Sequence, residues 1–205
     1  MSVAAVIPVK PYAVGKSRLA TVLNDAQRIA LNRNMFRHVL RTTLETPVVE
    51  NVIVISSDND VLSDAEKHGA HAILEGEPSN LNAALGVARK AALALDASGL
   101  LILPADLAKI DSADLMALLK AGDELSPLTG RIVIAPDAKR TGTNALYLQP
   151  VDTLEFSFGA DSFKNHQRAG ETSGYSVAVF EGPNLGFDVD EPIDLKNLDE
   201  NFWRV

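Results

Sequence analysis

The segment at residues 100–107, Leu-Leu-Ile-Leu-Pro-Ala-Asp-Leu, constrains the fold of this chain more than any other segment. Its four consecutive large aliphatic residues predict a strand buried on both faces, as in a parallel sheet that has helices on either side. Pro104 cannot donate a hydrogen bond to a neighbouring strand, so the strand should end there. Asp106 should then lie just beyond the carboxyl edge of the sheet, where open α/β folds bind ligands. Two interpretations stay open at this point: Asp106 binds a cation, or it caps the turn that follows.

Short apolar runs alternate with helical patterns over the first 121 residues, and this alternation predicts parallel βαβ units. The predicted strands lie at 3–7, 52–55, 70–74 and 100–103, and the predicted helices at about 24–46, 60–68, 81–95 and 111–121. Beyond residue 121 less helix separates the strands, which are predicted at 132–135, 145–148 and 176–180. The change of rhythm indicates that something is inserted in the sheet or appended to it. We find no internal repeat and no linker-like tract, and we interpret residues 1–205 as a single domain.

Composition argues against several classes of function. The formal net charge of −8 argues against a nucleic-acid partner, which would need a basic face. No apolar run approaches the roughly 20 residues that span a bilayer, and Pro8 interrupts the short apolar run of the N-terminus. We therefore expect neither a membrane segment nor a signal peptide. The chain has no Cys, which removes thiol chemistry and fits a cytoplasmic protein.

The loop after the first predicted strand carries three cations, Lys10, Lys16 and Arg18, and the first 24 residues contain no acid. Residues 15–17, Gly-Lys-Ser, match the end of a phosphate-binding P-loop, but Lys10 stands where that motif needs its first glycine. Two prolines also remove backbone amides that a phosphate nest would use, so we reject the P-loop interpretation. Three unpaired cations this close would repel one another, so we expect them to bind an anion. A solvated basic turn is the alternative.

Two further carboxylates, Asp188 and Asp190, lie in the segment Gly-Phe-Asp-Val-Asp-Glu-Pro at 186–192. Alternate residues of an extended segment point to one face, so these acids are candidate partners for Asp106. The alternative is that they cap a helix that begins near Pro192. Mg²⁺ prefers a few carboxylates together with phosphate oxygens and water. Acidic and cationic loops at one sheet edge therefore suggest a nucleoside triphosphate with Mg²⁺ between them.

Six groups of residues follow one another along the chain in the order of a known enzyme family. They are Ile7-Pro8-Val9-Lys10-Pro11 with Lys16-Ser17-Arg18-Leu19, Leu81-Asn82-Ala83-Ala84, Pro104-Ala105-Asp106-Leu107, Gly142-Thr143-Asn144-Ala145-Leu146, the stretch 158–166, and the stretch 188–195. Together they resemble the guanylyltransferases that make the phospholactyl or enolpyruvyl arm of the deazaflavin coenzyme F-420. That family resembles the molybdenum-cofactor guanylyltransferases in fold. The resemblance therefore implies a three-layer α/β/α, doubly wound, mostly parallel sheet of the nucleotide-diphospho-sugar transferase type.

The resemblance also implies a role for individual residues. It implies that the triphosphate of GTP is held by Lys10, Lys16 and Arg18, and that catalysis rests on Lys16, Arg18 and Asp106. The guanine would lie near Ser79, Asn80 and Asn82. One or two Mg²⁺ ions would be bound by Asp106, Asp188 and Asp190. The carboxylate of a small acid would be held by Thr143, Gly159 and Ser162, and Ser162 would begin a helix whose amino terminus favours an anion.

The implied reaction joins GMP from GTP to the phosphate of a small three-carbon acid and releases pyrophosphate, within coenzyme F-420 biosynthesis. The acid is 2-phospho-L-lactate or phosphoenolpyruvate, with 3-phosphoglycerate as a further alternative, because such small differences in shape cannot be read from residue types. Two alternatives of other kinds stay open. One is another nucleotidyltransferase of the same superfamily, acting on molybdopterin or a sugar phosphate. The other is a nucleotide-binding module without catalysis.

A few residues fall outside these roles. The family usually follows its Asp-Leu with Pro, and this chain has Ala108 there, which should loosen the turn but leave the carboxylate in place. We expect His166 to be an exposed histidine on a helix. We expect Phe202 and Trp203 to pack on the body of the protein or on a second subunit, so that a homodimer stays open.

Overall fold

All seven strands of the protein form one sheet in the computed structural model, which describes residues 2–76, 80–126 and 128–205. The strands are β1 (Val3–Pro8), β2 (Val49–Ser56), β3 (His71–Leu74), β4 (Gly99–Ile102), β5 (Arg131–Pro136), β6 (Thr143–Gln149) and β7 (Ser176–Val179). Their order across the sheet is β3-β2-β1-β4-β6-β5-β7. Each predicted strand is confirmed within a few residues, and the strand predicted at 100–103 occupies a central position.

In the described part of the chain, five α-helices connect the strands. They are α1 (Asp25–Leu44), α2 (Asn59–Lys67), α3 (Leu81–Ala94), α4 (Ser112–Asp123) and α5 (Ser162–Thr172). The predicted start of α1 is confirmed: the Asn24 side chain accepts from the Gln27 backbone N–H at 3.0 Å, and the Gln27 side chain accepts from the Asn24 N–H at 3.0 Å. Within the described ranges, no helix has the length and apolar character needed to cross a bilayer.

The sheet is parallel in its first half and mixed in its second half. β3, β2, β1 and β4 pair in parallel, and β7 pairs in parallel with β5. β6 runs antiparallel to both β4 and β5, with Leu101 opposite Tyr147. After residue 121 the sequence shows less helix between its strands, and the structure accounts for this change with the antiparallel strand β6. The direction of β6 brings its first residue, Thr143, to the edge where the parallel strands end.

Helices cover both faces of the sheet, as the continuous apolar run at 100–103 predicts. Along β1, Val3, Ala5 and Ile7 belong to one buried cluster, and Ala4 and Val6 belong to the other. α1, α2 and α4 pack on the first face, and α3 and α5 pack on the second. Full burial of one large aliphatic side chain contributes about 1.5–3 kcal/mol. The three-layer α/β/α prediction is confirmed.

The C-terminal segment returns across the molecule to pack on α1. Phe202 and Trp203 contact a small apolar cluster that includes Leu31 and Met35 of α1, and the Asn34 side chain donates to the Phe202 carbonyl at 2.9 Å. These contacts confirm that the two aromatic residues pack on the body of the protein.

Within the described residues no α-helix begins near Pro192, so the alternative in which Asp188 and Asp190 cap one is not observed. Only two short 3-10 helices form there, Asp194–Asn197 and Glu200–Phe202. The Asp194 carboxylate accepts from the backbone N–H groups of Asp190 and Glu191 at 2.9 and 2.7 Å, so a local side-chain turn takes the place of a helical start. This turn fixes the backbone at Asp190.

Candidate active site

Three carboxylates meet at the carboxyl edge of the sheet. Asp106 follows β4, and Asp188 and Asp190 lie in the extended segment before the C-terminal 3-10 helices. Each offers one oxygen, and the three oxygens all lie within 4.8 Å of one another. The Asp106 side chain bonds to Lys16 and to none of the backbone N–H groups of the turn after it, as far as the described residues show. The structure therefore favours the interpretation that Asp106 binds a cation over the interpretation that it caps the turn.

One carboxylate of the cluster, Asp188, is affected by burial and by the charges of the other two. Burial raises the pKa of Asp188, and the charges of Asp106 and Asp190 raise it further, against the opposing effects of Lys16 and of a hydrogen bond from Asn144. Asp188 therefore resists ionisation in the absence of a further cation. Carboxylate oxygens are the ligands that Mg²⁺ prefers, and a divalent cation would relieve this repulsion, so the residues present fit such an ion.

Lys16 lies against this cluster, and its side chain is 8% exposed. Its ammonium nitrogen lies 2.6 Å from Asp106 Oδ2 and 3.3 Å from Asp190 Oδ1. Burial acts to lower the pKa of Lys16, but the two carboxylates outweigh it and raise the pKa above its ordinary value. The backbone of Lys16 is left-handed, with φ 58° and ψ 40°, at the start of a 3-10 helix over Ser17–Thr21. This turn directs the loop back toward the sheet edge.

The other two cations of the loop differ in their environments. Arg18 Nη1 lies 2.9 Å from Asp190 Oδ2, and both side chains are largely exposed. Lys10 is exposed and lines the neighbouring cleft. The expectation of three unpaired cations is therefore wrong for Lys16 and Arg18. Their partners are Asp106 and Asp190, which lie far from them in sequence.

A polar network centred on the buried Asp64 fastens the basic loop to the helices beneath it. The Tyr12 hydroxyl donates to Asp64 at 3.1 Å, and Arg37 donates to both oxygens of the same carboxylate at 2.8 and 2.9 Å. The Asn32 side chain donates to the Tyr12 carbonyl at 2.7 Å. Burial acts to raise the pKa of Asp64, but the hydrogen bonds from Arg37 and Tyr12 bring it below its ordinary value. Sequence reasoning missed this network, since its members have no shared spacing.

A cleft of about 480 Å³ opens beside the three carboxylates, a size in the range of small-molecule sites. Its walls come from the basic loop, the ends of β1 and β2, the first turn of α3 and the loop after β4. Five of the predicted site residues line it: Lys10, Lys16, Arg18, Asp106 and Asp190. The apolar part of the lining includes Val14, Met35, Ile55 and Leu81.

The residues expected near guanine have structural partners of their own. Asn80 caps α3, where its side chain accepts from the backbone N–H groups of Asn82 and Ala83 at 3.0 and 3.3 Å. The Asn82 side chain donates to the Phe158 carbonyl at 3.1 Å and accepts from the Phe158 N–H at 2.8 Å. Among the described residues that line the cleft, α3 is represented by Leu81 and Ala84 but by neither asparagine. Ser79 lies outside the described residues.

The residues expected to hold a carboxylate come together around the start of α5. Thr143 begins β6, Ser162 begins α5, and the Phe163 N–H donates to the Thr141 carbonyl at 3.3 Å. Asp161 precedes the helix in a left-handed conformation and its side chain does not cap it, and the Ser162 N–H donates to the Gly159 carbonyl at 3.2 Å. Gly159 has φ +127°, a conformation that side-chain-bearing residues rarely adopt. None of these residues lines the cleft described above.

The expectation that His166 is exposed is wrong, because its side chain is fully buried between α5, β6 and the loop that precedes α5. Its Nδ1 lies 3.1 Å from the Thr143 hydroxyl, and its Nε2 accepts from the Ser157 N–H at 3.0 Å. Burial lowers the pKa of His166 to about 4. The sequence contains a signal for this burial: Phe163, His166 and Gly170 recur at helical spacing and form one face of α5.

The fold has the architecture of the nucleotide-diphospho-sugar transferases. A putative nucleotide-diphospho-sugar transferase from Desulfovibrio desulfuricans G20 is similar in structure, with a TM-score of 0.73, 15% identity, and coverage of 95% of this chain and 85% of that one. A nucleotidyl transferase from Methanothermobacter thermautotrophicus has a TM-score of 0.69, 13% identity, and coverage of 98% and 97%. At these identities the likeness concerns the fold alone.

The chain belongs to the family described as "Guanylyl transferase CofC like", whose model matches residues 3–199. A phosphoenolpyruvate guanylyltransferase of Rubrobacter xylanophilus is 45% identical, with coverage of 97% of this chain and 94% of that protein. One of Sphaerobacter thermophilus is 37% identical, with coverage of 97% and 93%. A 2-phospho-L-lactate guanylyltransferase of Methanothermobacter thermautotrophicus is 33% identical, with coverage of 97% and 84%. The predicted family is confirmed, and with it the class of enzyme.

Proposed function

We propose that this guanylyltransferase joins GMP from GTP to the phosphate of phosphoenolpyruvate and releases pyrophosphate, in the biosynthesis of coenzyme F-420. One observation carries the proposal: in a member of this family, three carboxylates and a buried lysine meet at the rim of a nucleotide-sized cleft. Phosphoenolpyruvate is the preferred acceptor because the relatives at 45% and 37% identity bear its name. 2-Phospho-L-lactate is the second candidate, favoured by the relative at 33% identity.

The reaction needs no nucleophile from the protein. An oxygen of the acceptor phosphate attacks the α-phosphorus of GTP, the bond from that phosphorus to the α–β bridging oxygen breaks, and pyrophosphate leaves with the electron pair. Catalysis then consists of positioning two anions against each other and stabilising the charge that develops. We assign the triphosphate to Lys10, Lys16 and Arg18, which line one wall of the cleft.

Asp106, Asp188 and Asp190 would hold Mg²⁺, since their oxygens converge within 4.8 Å and repel one another without a cation. When bound there, the ion supplies neutralising charge to the phosphate oxygens of both substrates. Lys16 lies within hydrogen-bond distance of two of the same carboxylates and orients them toward the cleft. The Asn144 side chain donates to the Leu185 carbonyl at 2.9 Å and acts to lower the pKa of the third carboxylate, Asp188.

The acceptor's carboxylate is assigned to Thr143, Gly159 and Ser162. The start of α5 favours an anion, because a helix amino terminus carries partial positive charge and no acidic side chain occupies its first turn. Thr143 begins β6 at the carboxyl edge of the sheet, the edge at which the three carboxylates meet. We therefore infer that an acid held at Thr143 presents its phosphate toward the carboxylate cluster.

The deciding experiment offers GTP and Mg²⁺ with each of three acids: phosphoenolpyruvate, 2-phospho-L-lactate and 3-phosphoglycerate. Products are identified by mass spectrometry, and pyrophosphate is measured in parallel. We expect the guanosine diphosphate ester of enolpyruvate to form fastest. Preference for 2-phospho-L-lactate would move the protein to the second candidate function. No ester from any of the three acids would contradict the proposed function, whatever the response to metal.

A further inference from the structure

His166 joins three segments that carry the proposed acid site. It belongs to α5, its Nδ1 contacts the Thr143 hydroxyl at the start of β6, and its Nε2 contacts the Ser157 N–H in the preceding loop. The ring also packs edge-on against Phe158, with ring centroids 4.8 Å apart. The side chain is fully buried, so it does not itself reach a ligand in the cleft.

The hydrogen-bond pattern assigns the proton on the ring. A backbone N–H can only donate, so Nε2 must be the accepting nitrogen and carries no hydrogen. A neutral imidazole then carries its hydrogen on Nδ1, which donates to the Thr143 oxygen. Because that oxygen accepts from the ring, the hydroxyl hydrogen of Thr143 stays available to a different acceptor.

We propose that His166 is a positioning residue for the acceptor: it holds the Thr143 hydroxyl as a hydrogen-bond donor to the carboxylate of the phospho-acid. This inference rests on the proposed function, because it takes the acid site from there. It adds a residue that contacts no substrate and acts through Thr143. A carboxylate accepts hydrogen bonds and donates none, so a threonine fixed as donor matches it.

Two substitutions separate the functions of the two ring nitrogens. His166→Asn places an amide N–H near the position of Nδ1 and keeps a donor to Thr143, but it loses the acceptor for Ser157. His166→Gln reaches the position of Nε2 and keeps an acceptor for Ser157, but it loses the donor to Thr143. We expect His166→Gln to raise KM for the phospho-acid about tenfold, the loss typical of a hydrogen bond to a charged group. KM for GTP should change by less than about twofold, and His166→Asn should lie closer to the wild type.

A double-mutant cycle tests whether the effect passes through Thr143. Thr143→Val removes the hydroxyl and Thr143→Ser keeps it, so the valine variant should raise KM for the acid and the serine variant should change it little. In the Thr143→Val background, His166→Gln should add almost nothing. Additive effects, or equal increases in KM for GTP and for the acid, would show a merely structural role and overturn the inference.

The ring tautomer gives a readout that does not depend on activity. Long-range ¹H–¹⁵N spectra of protein labelled at histidine should show His166 neutral at pH 7, with the proton on Nδ1. A proton on Nε2 would overturn the inference even in an active enzyme. Wild-type protein that shows the Nδ1 tautomer but makes no ester from any acid would instead contradict the proposed function. The inference would then be overturned as well, because the Thr143 hydroxyl would have no acid to bind.

Discussion

At the scale of single residues, the ammonium group of Lys16 lies 2.6 Å from Asp106 and 3.3 Å from Asp190, inside the cluster that we propose for Mg²⁺. It therefore competes with a metal ion for the same oxygens while it also attracts phosphate. The two effects have opposite signs. At an effective dielectric constant of about 20, a unit charge at about 4 Å contributes about 4 kcal/mol before desolvation costs.

Lys16→Met should therefore strengthen binding of Mg²⁺ alone, by about tenfold, and weaken binding of GTP. Isothermal titration calorimetry with metal alone and with the nucleotide measures the two effects separately. Arg18→Met is the matched control, because the Arg18–Asp190 pair is exposed and should change metal affinity by less than about threefold. Metal affinity that is unchanged or lower in Lys16→Met would show that the lysine does not compete with the ion.

The burial of His166 predicts a pH dependence of stability. Its pKa is about 4 in the folded protein and near 6.5 when unfolded, so between these values the unfolded chain binds more protons. The contribution of His166 to the free energy of unfolding therefore has its full value above about pH 6.5. It falls as the pH drops toward 4, by about 3 kcal/mol at most. Urea unfolding at intervals from pH 7 to pH 4.5 measures the slope. His166→Asn should be less stable at pH 7 but should lack this part of the slope, and an equal slope in both proteins would contradict the assignment.

At the scale of elements, the first turn of α3 is tied to the loop that precedes α5. Asn82 makes two hydrogen bonds to the backbone of Phe158, whereas Asn80 caps its own helix. We expect Asn82→Ala to lower the free energy of unfolding by about 1–3 kcal/mol and to raise KM for the phospho-acid, because the loop from Phe158 to Ser162 loses its anchor.

Asn80→Ala is the control for this change. It should lower stability by about 1 kcal/mol through the lost cap and leave KM for the acid nearly unchanged. Denaturant unfolding and steady-state kinetics on both variants supply the comparison. An Asn82→Ala variant that raises KM for GTP alone would instead place the asparagine at the guanine, as the family resemblance implies.

Apolar runs and helix caps made most elements predictable from the sequence. The run at 100–103 predicts a doubly buried strand, and Asn24 with Gln27 predicts the start of α1, because both signals are local. The direction of β6 was not predictable, since a short apolar run at 145–148 has no polarity that reveals which way the strand points. Near Pro192 the chain forms only short 3-10 helices, and the Asp194 side chain closes a local turn with the backbone N–H groups of Asp190 and Glu191, a contact that residue types do not reveal.

At the scale of the whole molecule, the site joins parts of the chain that lie far apart in sequence. Lys16, Asp106 and Asp190 are in contact although they are 90 and 174 positions apart. Residue types alone suggested that the acidic and the cationic segments form one site, because acids and cations at one sheet edge imply a metal ion and a phosphate. Their pairing with one another was not predictable, since it depends on the path of the C-terminal segment across α1.

The carboxylate cluster predicts a strong dependence of rate on Asp106. Asp106→Asn keeps the shape of the side chain but removes its charge, and we expect the turnover rate with saturating GTP and Mg²⁺ to fall roughly a hundredfold or more. Pyrophosphate release measures this rate. Asp96→Asn is the matched control: Asp96 lies just before β4, at the amino edge of the sheet, and its left-handed backbone suits asparagine. Near wild-type turnover in Asp106→Asn would remove this residue from the site.

The reversed direction of β6 has a consequence for how such an enzyme changes its acceptor. The residues proposed to hold the acid fall within one continuous stretch, 143–162, whereas the cleft proposed for the nucleotide is built from residues 8–106 and Asp190. On these assignments, donor and acceptor recognition occupy separate parts of the chain. We therefore expect substitutions within a single stretch of twenty residues to exchange one small acid for another, with the residues that bind the nucleotide unchanged.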